Sequence, residues 1–530
     1  MLIPALLALS LLSSIPNGGA TAHAVSGDGS AARRAIWIQL AEKPSPKGGV
    51  RPEHTPLTAR ALERRARMRV APGLVDSRDL PVAPARVAAI LATGADYRAQ
   101  SRWLNGVSVD ATEAETAAIL RLPFVRGVWP LRASREPMPP APVALDGGVA
   151  GGGYGFMDAQ LAQIDVPSMH ARGFHGEGMV IGVLDTGFHK VHEAFHSAQH
   201  PLSVLAEWDF IDNDGNTGID AGDPGDQHMH GTWILGTLAA YQPGLAVGAA
   251  YRAQFVLAKT EVVPTETVVE EDYYVAGLEF IEAQGADLAT SSLGYIDWYT
   301  PAQLDGLTAI TTRAVNIATA NGLVCLTAAG NAGHDADPAT LRIIAPADAL
   351  EVIACGAADA SGATAGFSSD GPSADGRVKP EVLARGVAVA SVHSTNATGY
   401  QAVSGTSLST PLVAGATALL MQARPELGVA AVRTALFTTA EDFVLNAATD
   451  PAFVRGYGVI SALDAAKTNR AAEDTNLDGA IDAQDLAVLL SQWGSCSDPD
   501  PGTGFCISDF NADGAVDAAD LARVLSAWGL

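Results

Sequence analysis

The sequence is poor in cysteine, in charged residues and in long apolar runs. Four cysteines among 530 residues are too few for a fold built on disulfide bonds. Charged residues make up only 17% and hydrophobic residues 48%, so there is ample apolar material for a large core. No segment beyond the N-terminus offers about 18 consecutive apolar residues, so we expect no membrane span.

Positive charge is also scarce, because 33 Lys and Arg face 58 Asp and Glu. A nucleic acid requires a basic face, so this balance excludes it as a partner. Residues 25–135 nevertheless carry 18 bases against 10 acids, whereas residues 136–530 carry 15 against 48. This asymmetry indicates a basic front part attracted to an acidic body. Independent drift of two surfaces would give the same composition.

Composition divides the chain into five parts. Residues 1–24 begin with an apolar stretch over residues 1–12, end in Ala22-His23-Ala24 and are typical of a signal peptide, which predicts a secreted or cell-surface protein. Residues 25–135 predict a small α+β unit. Residues 136–153, rich in Pro, Gly and Ala, predict a linker. Residues 154–468 alternate strands with helices, and residues 471–530 contain an internal repeat.

The alternation in residues 154–468 predicts an α/β fold with a parallel sheet covered by helices on both faces. The predicted strands are residues 179–184, 255–258, 287–292, 323–328, 351–355 and 387–392. The predicted helices are residues 232–240, 274–284, 304–320 and 410–424.

Four short motifs in this part carry reactive side chains. Asp185-Thr-Gly ends an apolar strand, where parallel sheets place their sites. His230-Gly-Thr begins a helix, and histidine suits proton transfer near neutrality. Ser407, in Gly-Thr-Ser, opens an apolar helix whose unpaired N–H groups suit an oxyanion, and the Asn331 amide is a second donor. Taken singly, each motif is also explained by a turn or a helix cap.

Taken together and in this order, the motifs resemble those of the subtilases, the subtilisin-like serine peptidases. Phe367–Pro372 and Lys379-Pro380-Glu381 match two further stretches of that family. The resemblance implies a triad of Asp185, His230 and Ser407 that hydrolyses peptide bonds through a covalent acyl-enzyme, with Asn331 on the oxyanion. It further implies two groups of substrate-binding residues: Ser292, Leu293 and Gly294, which pair with the peptide backbone, and Ala328, Ala329 and Gly330, which line the primary pocket.

The basic front part resembles the inhibitor-type pro-region of the same family through Ser101–Asp110 and Phe124–Val128. This resemblance implies a self-processed zymogen in which residues 25–135 bind the peptidase domain, assist its folding and are then cut off. A permanent N-terminal domain of another kind is the alternative.

The C-terminal repeat has the spacing of an EF-hand calcium loop, with oxygen ligands at positions one, three, five, seven, nine and twelve. Aspartate at position twelve resembles dockerin repeats, which implies a small all-α module and a cohesin-like or cell-surface partner. The predicted Ca²⁺ ligands are Asp474, Asn476, Asp478, the Ala480 carbonyl, Asp482 and Asp485, and then Asp509, Asn511, Asp513, the Ala515 carbonyl, Asp517 and Asp520.

Three smaller predictions complete the assignment. The acidic stretch from Asp212 to Asp226 is either a further Ca²⁺ site or a solvated loop. Cys496 and Cys506 are expected to form a disulfide in a secreted chain. Cys325 and Cys355, in apolar strands, are buried thiols or bridge neighbouring strands.

The sequence therefore predicts a secreted subtilisin-like endopeptidase that cleaves polypeptides, is made as a zymogen and carries a calcium-binding tail. The alternatives are a catalytically silent binding protein on a subtilase scaffold and a calcium-dependent adhesion protein.

Overall fold

The structure is a computed structural model that describes residues 32–44, 46–130, 142–145, 153–263, 270–295, 299–335, 337–496, 506–511 and 513–529. The predicted signal peptide and most of the predicted linker lie outside these residues. We call residues 32–130 the N-terminal domain, residues 142–468 the main domain and residues 471–529 the C-terminal module.

The N-terminal domain is a four-stranded antiparallel sheet with helices, in spatial order β2, β3, β1 and β4. In β1, Ile36 and Ile38 point into the domain's own core, whereas Trp37 points to the opposite face and joins a core cluster of the main domain. The elements are β1 (Arg34–Leu40), α1 (Ala59–Met68), α2 (Pro84–Leu91), β2 (Asp96–Ser101), β3 (Gly106–Ala111), α3 (Glu113–Ile119) and β4 (Val125–Pro130).

The main domain is an α/β unit, as predicted. Its strands are β5 (Val143–Leu145), β6 (Val180–Asp185), β7 (Ser203–Asp209), β8 (Tyr241–Gln242), β9 (Ala246–Val247), β10 (Gln254–Lys259), β11 (Leu288–Ser291), β12 (Val324–Ala328), β13 (Ile353–Ala358), β14 (Val382–Arg385), β15 (Val389–Val392) and β16 (Tyr400–Val403). Its helices are α4 (Asp158–Ala162), α5 (Val166–His170), α6 (Met229–Ala239), α7 (Glu270–Gln284), α8 (Ile310–Ala320), α9 (Thr406–Ala423), α10 (Val429–Thr438), α11 (Glu441–Asn446) and α12 (Ala462–Lys467).

Seven of these strands form one parallel sheet in the order β14, β13, β12, β11, β6, β10 and β7. Alternate residues of β6 enter different cores: Ile181 and Val183 pack on the side of α6 and α9, whereas Val180 and Leu184 pack on the side of α7 and α8. Because helices cover both faces, the central strands are mostly apolar rather than alternating.

Several boundaries differ from the predicted ones. The predicted strand 387–392 is not in the parallel sheet, because β15 pairs antiparallel with β16, which in turn pairs with β5. Thus part of the predicted linker is a strand of the main domain. The edge strands β7 and β14 were not predicted, and α9 begins at Thr406 rather than at residue 410.

The C-terminal module contains α13 (Ala483–Ser491) and α14 (Ala518–Ser526), which share a small core with the Cys496–Cys506 disulfide beside it. The expectation of an all-α module needs a correction, because β17 (Gly494–Ser495) pairs with β18 (Ala515–Val516). The Cys496 N–H donates to the Gly514 carbonyl, so Cys496 lies beside the second loop.

Two absences among the described residues complete the fold. Cys325 and Cys355 are buried and free, because the strand register places Cys355 opposite Ala328 rather than opposite Cys325. None of the helices in the described ranges combines the length and the apolar character that a membrane crossing needs.

Candidate active site

The end of β6 and the start of α6 bring together the first two predicted catalytic side chains. Asp185 is fully buried, and its Oδ1 lies 2.8 Å from Nδ1 of His230. The same oxygen accepts the Thr186 N–H at 2.8 Å, so the carboxylate is held from two sides. A side chain at Gly231 would collide with the Gly187 carbonyl, which explains why glycine follows the histidine.

Ser407 is the second residue of α9, so its backbone N–H is one of the helix's unpaired N-terminal donors. Its Oγ is buried and makes no hydrogen bond within the described part of the chain. The hydroxyl is therefore not yet bonded to His230. Such catalytic bonds often tighten only when substrate is present.

Asn331 follows β12 and is oriented by the residue before the serine. Its Oδ1 accepts the Thr406 N–H at 2.9 Å and the Thr406 hydroxyl at 3.1 Å. The Gly330 N–H also donates to that hydroxyl, at 3.3 Å. Because Oδ1 is committed to the helix start, the amide can present only its NH₂ group to a ligand. Thr406 is a positioning residue that the sequence analysis missed.

Ser292 has a role that was also missed. Its Oγ donates to the Ser407 carbonyl at 2.7 Å. In a regular helix that carbonyl would accept the N–H of residue 411, but Pro411 has none. The sequence analysis could have found this bond, since a proline four residues after the serine leaves one carbonyl of the helix unpaired. It requires the correct helix start, which makes Pro411 the sixth residue of α9.

The remaining predicted substrate-binding residues lie at the same edge of the parallel sheet, where β11 and β12 end. Residues 292–294 follow β11 and belong to no strand of the described structure. The side chain of Ile344 lies against both Gly294 and Gly330, so it sits between the two predicted groups. Ala328 and Ala329 are buried. Ile344 was not predicted, because it is remote from every motif in the sequence.

The acidic loop after β7 encloses a lysine. Carboxylate oxygens of Asp209, Asp214 and Asp220 lie within 4.8 Å of one another. The buried Nζ of Lys259 lies 2.7 Å from Asp209 and 3.0 Å from Asp223. Burial raises the pKa of Asp209 to about 6, although the Lys259 ammonium opposes the shift. A Ca²⁺ ion here would bind beside this ammonium or displace it.

The two C-terminal loops have the same internal hydrogen bonds. Position one accepts the N–H of position six in each copy, from Gly479 to Asp474 and from Gly514 to Asp509, both at 2.9 Å. The buried aspartates at position twelve each accept two or more backbone N–H groups, and they are Asp485 and Asp520. Within the described ranges, neither loop gathers three carboxylates as closely as the acidic loop does.

The N-terminal domain covers α7 through its arginines and backbone. Oxygens of Glu279 accept the N–H groups of Arg102 and Trp103 at 3.1 and 3.0 Å. Arg98 lies 3.1 Å from the buried Asp272. The basic front part therefore contacts acidic residues of the main domain directly.

A second contact comes from α1, where Arg64 and Arg65 are both buried against Glu282. Arg65 also makes a two-bond pair with Asp79, at 2.8 Å each. Burial acts to raise the pKa of Glu282, but the two guanidinium groups outweigh it and hold that pKa below its usual value. The Arg64 side chain also donates to the Ala286 carbonyl.

Comparison with known proteins matches two regions of the chain to two family models. A family model described as the Subtilase family matches residues 176–460. A model described as the peptidase S8 propeptide domain of Bacteroidota matches residues 35–140.

Individual relatives cover the main domain. Subtilisin E of Bacillus subtilis is 32% identical over 283 residues, which are 53% of this chain and 65% of that protein. Subtilisin DY of Bacillus licheniformis is 31% identical over 307 residues, 57% of this chain and 96% of that protein. Among solved structures, fervidolysin from Fervidobacterium pennivorans, described as a keratinolytic enzyme related to subtilisin, has a TM-score of 0.56 at 22% identity, covering 83% of this chain and 62% of that one. The structural likeness shows the fold.

Proposed function

The chain belongs to the subtilase family, and on this basis we propose that it is a serine endopeptidase acting on polypeptides. The observation that carries the proposal is the 2.8 Å contact between Nδ1 of His230 and the buried Asp185. It stands beside a helix that begins at Thr406, which is bonded to Asn331, and carries Ser407 as its second residue.

In the proposed mechanism Asp185 fixes the tautomer of His230 and stabilises its protonated form. His230 takes the proton from Ser407 as Oγ attacks the peptide carbonyl, and the C–O bond of an acyl-enzyme forms as the peptide C–N bond breaks. The proton goes to the leaving amine. The Ser407 N–H and the Asn331 amide bind the oxyanion. Water then attacks the acyl-enzyme, His230 takes a proton from the water and returns it to Ser407, and the carboxylic acid product is released.

Extended peptides are the proposed substrates. Residues 292–294 offer backbone groups outside any strand, so a peptide can be added there as a further strand. Ala328, Ala329 and Gly330 then line the pocket for the residue before the cut. Their small size leaves room for a sizeable apolar side chain.

We further propose that the N-terminal domain is removed by self-cleavage. Because β5 pairs with β16 of the main domain, the cut belongs before Val143, and the last strand of the N-terminal domain ends at residue 130. We therefore place the cut between residues 131 and 142. The buried contacts of α7 with Arg64, Arg65 and Trp103 favour retention of the severed domain as an inhibitor.

The C-terminal module is proposed to bind two Ca²⁺ ions and to attach a secreted enzyme to a cohesin-like or cell-surface partner. The Cys496–Cys506 disulfide agrees with an oxidising compartment. Asp474 fits a cation, because its Oδ1 is buried without a hydrogen-bond partner. Bound there, Ca²⁺ would supply a hard positive charge held by the predicted oxygen ligands.

Labelling with a fluorophosphonate, together with casein hydrolysis, tests the enzyme proposal. The processed protein should react at Ser407 and cleave casein, and the Ser407→Ala chain should do neither. If the protein is a catalytically silent scaffold, neither the unchanged chain nor the Ser407→Ala chain will be labelled or cleave casein. Asp513→Ala, which alters the second calcium loop and leaves Leu477 in place, separates the adhesion alternative, since peptidase activity should survive this change and calcium-dependent adhesion should not.

A further inference from the structure

The first C-terminal loop is packed onto the main domain through one side chain. Leu477, at position four, is completely buried. It belongs to the hydrophobic cluster of the main domain, together with residues of α9 and α12, and not to the module's own core of Ile481, Leu489, Val516 and Val524. Its backbone has φ of +61°, a conformation that branched side chains seldom adopt. The surrounding packing therefore holds it in place.

The connection between the two parts is short and bonded. Only residues 468–473 separate α12 from Asp474. The Arg424 side chain donates to the carbonyls of Ala466 and Thr468, at 3.0 and 2.8 Å. This segment is thus tied to the end of α9 and does not behave as a flexible tether.

Arg470 links the same segment to the loop. Its guanidinium lies 3.5 Å from Glu426 of the main domain and 3.8 Å from Asp474 of the loop. A side chain at Gly479, which has φ of +94°, would collide with this guanidinium. The loop backbone is therefore packed directly on a residue that is itself paired to the main domain.

Asp474 gives an independent indication of a cation at this place. Only 3% of the residue is exposed. One carboxylate oxygen accepts the Gly479 N–H, and the other has no hydrogen-bond partner although it is buried. In the chain, Leu477 lies between two predicted ligands, Asp474 and Asp478. A cation bound by both would therefore fix the backbone on each side of the buried leucine.

The second repeat lacks the apolar side chain. By sequence it has Ala512 where the first has Leu477, 35 positions earlier. At position five the two repeats are alike, because Asp513 of the second repeat and Asp478 of the first are both exposed. The chain thus contains a matched pair of loops of which one alone carries the buried leucine.

We propose that the first calcium loop is a structural latch of the main domain. Ca²⁺ bound to this loop holds Leu477 in the main-domain core and so stabilises α12 and the end of α9. The second loop stabilises the C-terminal module alone. This inference rests on the proposed Ca²⁺ sites but not on the peptidase activity.

Hydrogen exchange of the full-length Ser407→Ala chain, with Ca²⁺ and with a chelator, tests the latch, and Tb³⁺ luminescence reports loop binding separately. At Ca²⁺ about 100 times its dissociation constant, openings of α12 that release the ion become about 100-fold rarer, so exchange of its amides slows by up to that factor. Asp478→Ala should abolish this protection. The matched Asp513→Ala should leave it intact.

Leu477→Ala, which installs the residue of the second repeat, should keep Tb³⁺ binding in both loops and lose the protection of α12. Equal effects of Asp478→Ala and Asp513→Ala on α12, or Tb³⁺ binding without any change in α12, would overturn the latch and leave the calcium sites standing. Absence of Tb³⁺ binding would overturn both the sites and the latch, with the peptidase proposal untouched.

Discussion

In the proposed mechanism, Asp185 is the residue that sets the orientation of His230. Its Oδ1 receives both the Thr186 N–H and the His230 ring nitrogen. In Asp185→Asn an amide NH₂ can face the ring and favour the wrong tautomer. We expect kcat to fall by about 10⁴-fold with little change in thermal stability. Steady-state kinetics on a peptide ester, beside a thermal melt, measures this, and a loss below about tenfold would contradict the assigned role.

The bond from Ser292 to the Ser407 carbonyl predicts an energetic coupling between Ser292 and Pro411, which are far apart in the sequence. Ser292→Ala leaves a buried carbonyl unpaired and should destabilise the chain by about 1–3 kcal/mol. In a Pro411→Ala background the restored N–H can donate to that carbonyl, so the same change should cost much less. Urea unfolding of the four chains in the Ser407→Ala background gives the coupling. Additive effects would show that the bond does not matter.

Single residues also mark the limit of what the sequence reveals. Asp185, His230, Asn331 and Ser407 are each predicted from their motifs, because a strand end, a helix start or a turn fixes them locally, and the structure brings Asp185 to His230 and Asn331 to the start of α9. Thr406 and Ile344 were missed because their roles depend on contacts between segments far apart in the chain.

At the scale of elements, α1 is the feature that the motifs do not explain. It carries Arg64 into a buried contact with Glu282, whereas Arg67 on the same helix keeps 55% of its side chain exposed and lies 3.8 Å from Asp287. Removing one partner of a buried pair typically costs about 3–5 kcal/mol, and an exposed pair is worth about 0–1 kcal/mol.

We therefore expect Arg64→Ala to release the severed N-terminal domain at least about 100-fold faster, and Arg67→Ala to change release by less than about tenfold. Size-exclusion chromatography of the self-cleaved complex over time follows the release. Similar rates for the two variants would show that α1 does not anchor the domain.

The elements of the parallel sheet were predicted best where both faces are buried. The central strands β6, β10, β11, β12 and β13 are mostly apolar, and a strand was predicted at each of these places. The edge strand β7 contains Glu207 and Asp209 and lacks that signal, and β15 looks like a sheet strand although it pairs elsewhere. Pairing partners are set by tertiary packing, which an apolar run does not specify.

At the scale of the whole molecule, two of the acidic groups under the N-terminal domain, Glu282 and Asp272, predict a pH dependence of its retention. Burial acts to raise the pKa of Glu282, but the arginines of the N-terminal domain outweigh it and lower that pKa in the complex. Its contribution to retention is therefore fully present above its pKa in the separated domains and is lost as pH falls through the lower value in the complex. The pKa of Asp272 is raised by burial, although Arg98 opposes this, so its contribution has the opposite sign.

Comparison of Glu282→Gln with the unchanged sequence isolates the first group. We expect acidification below about pH 4.5 to weaken retention of the severed domain less steeply in the variant. Affinity measured between pH 3 and pH 7 tests this, with Glu63→Gln on the exposed side of α1 as the control. Equal slopes for both chains would rule out Glu282 as the titrating group.

Mass spectrometry of the refolded full-length chain and of its Ser407→Ala variant, side by side in Ca²⁺, tests the central claim most directly. The peptidase account predicts that the unchanged chain splits between residues 131 and 142, leaving a fragment that begins before Val143, and that the variant stays whole. If both chains fold and both stay whole, self-cleavage by Ser407 is contradicted and the silent-scaffold alternative takes its place.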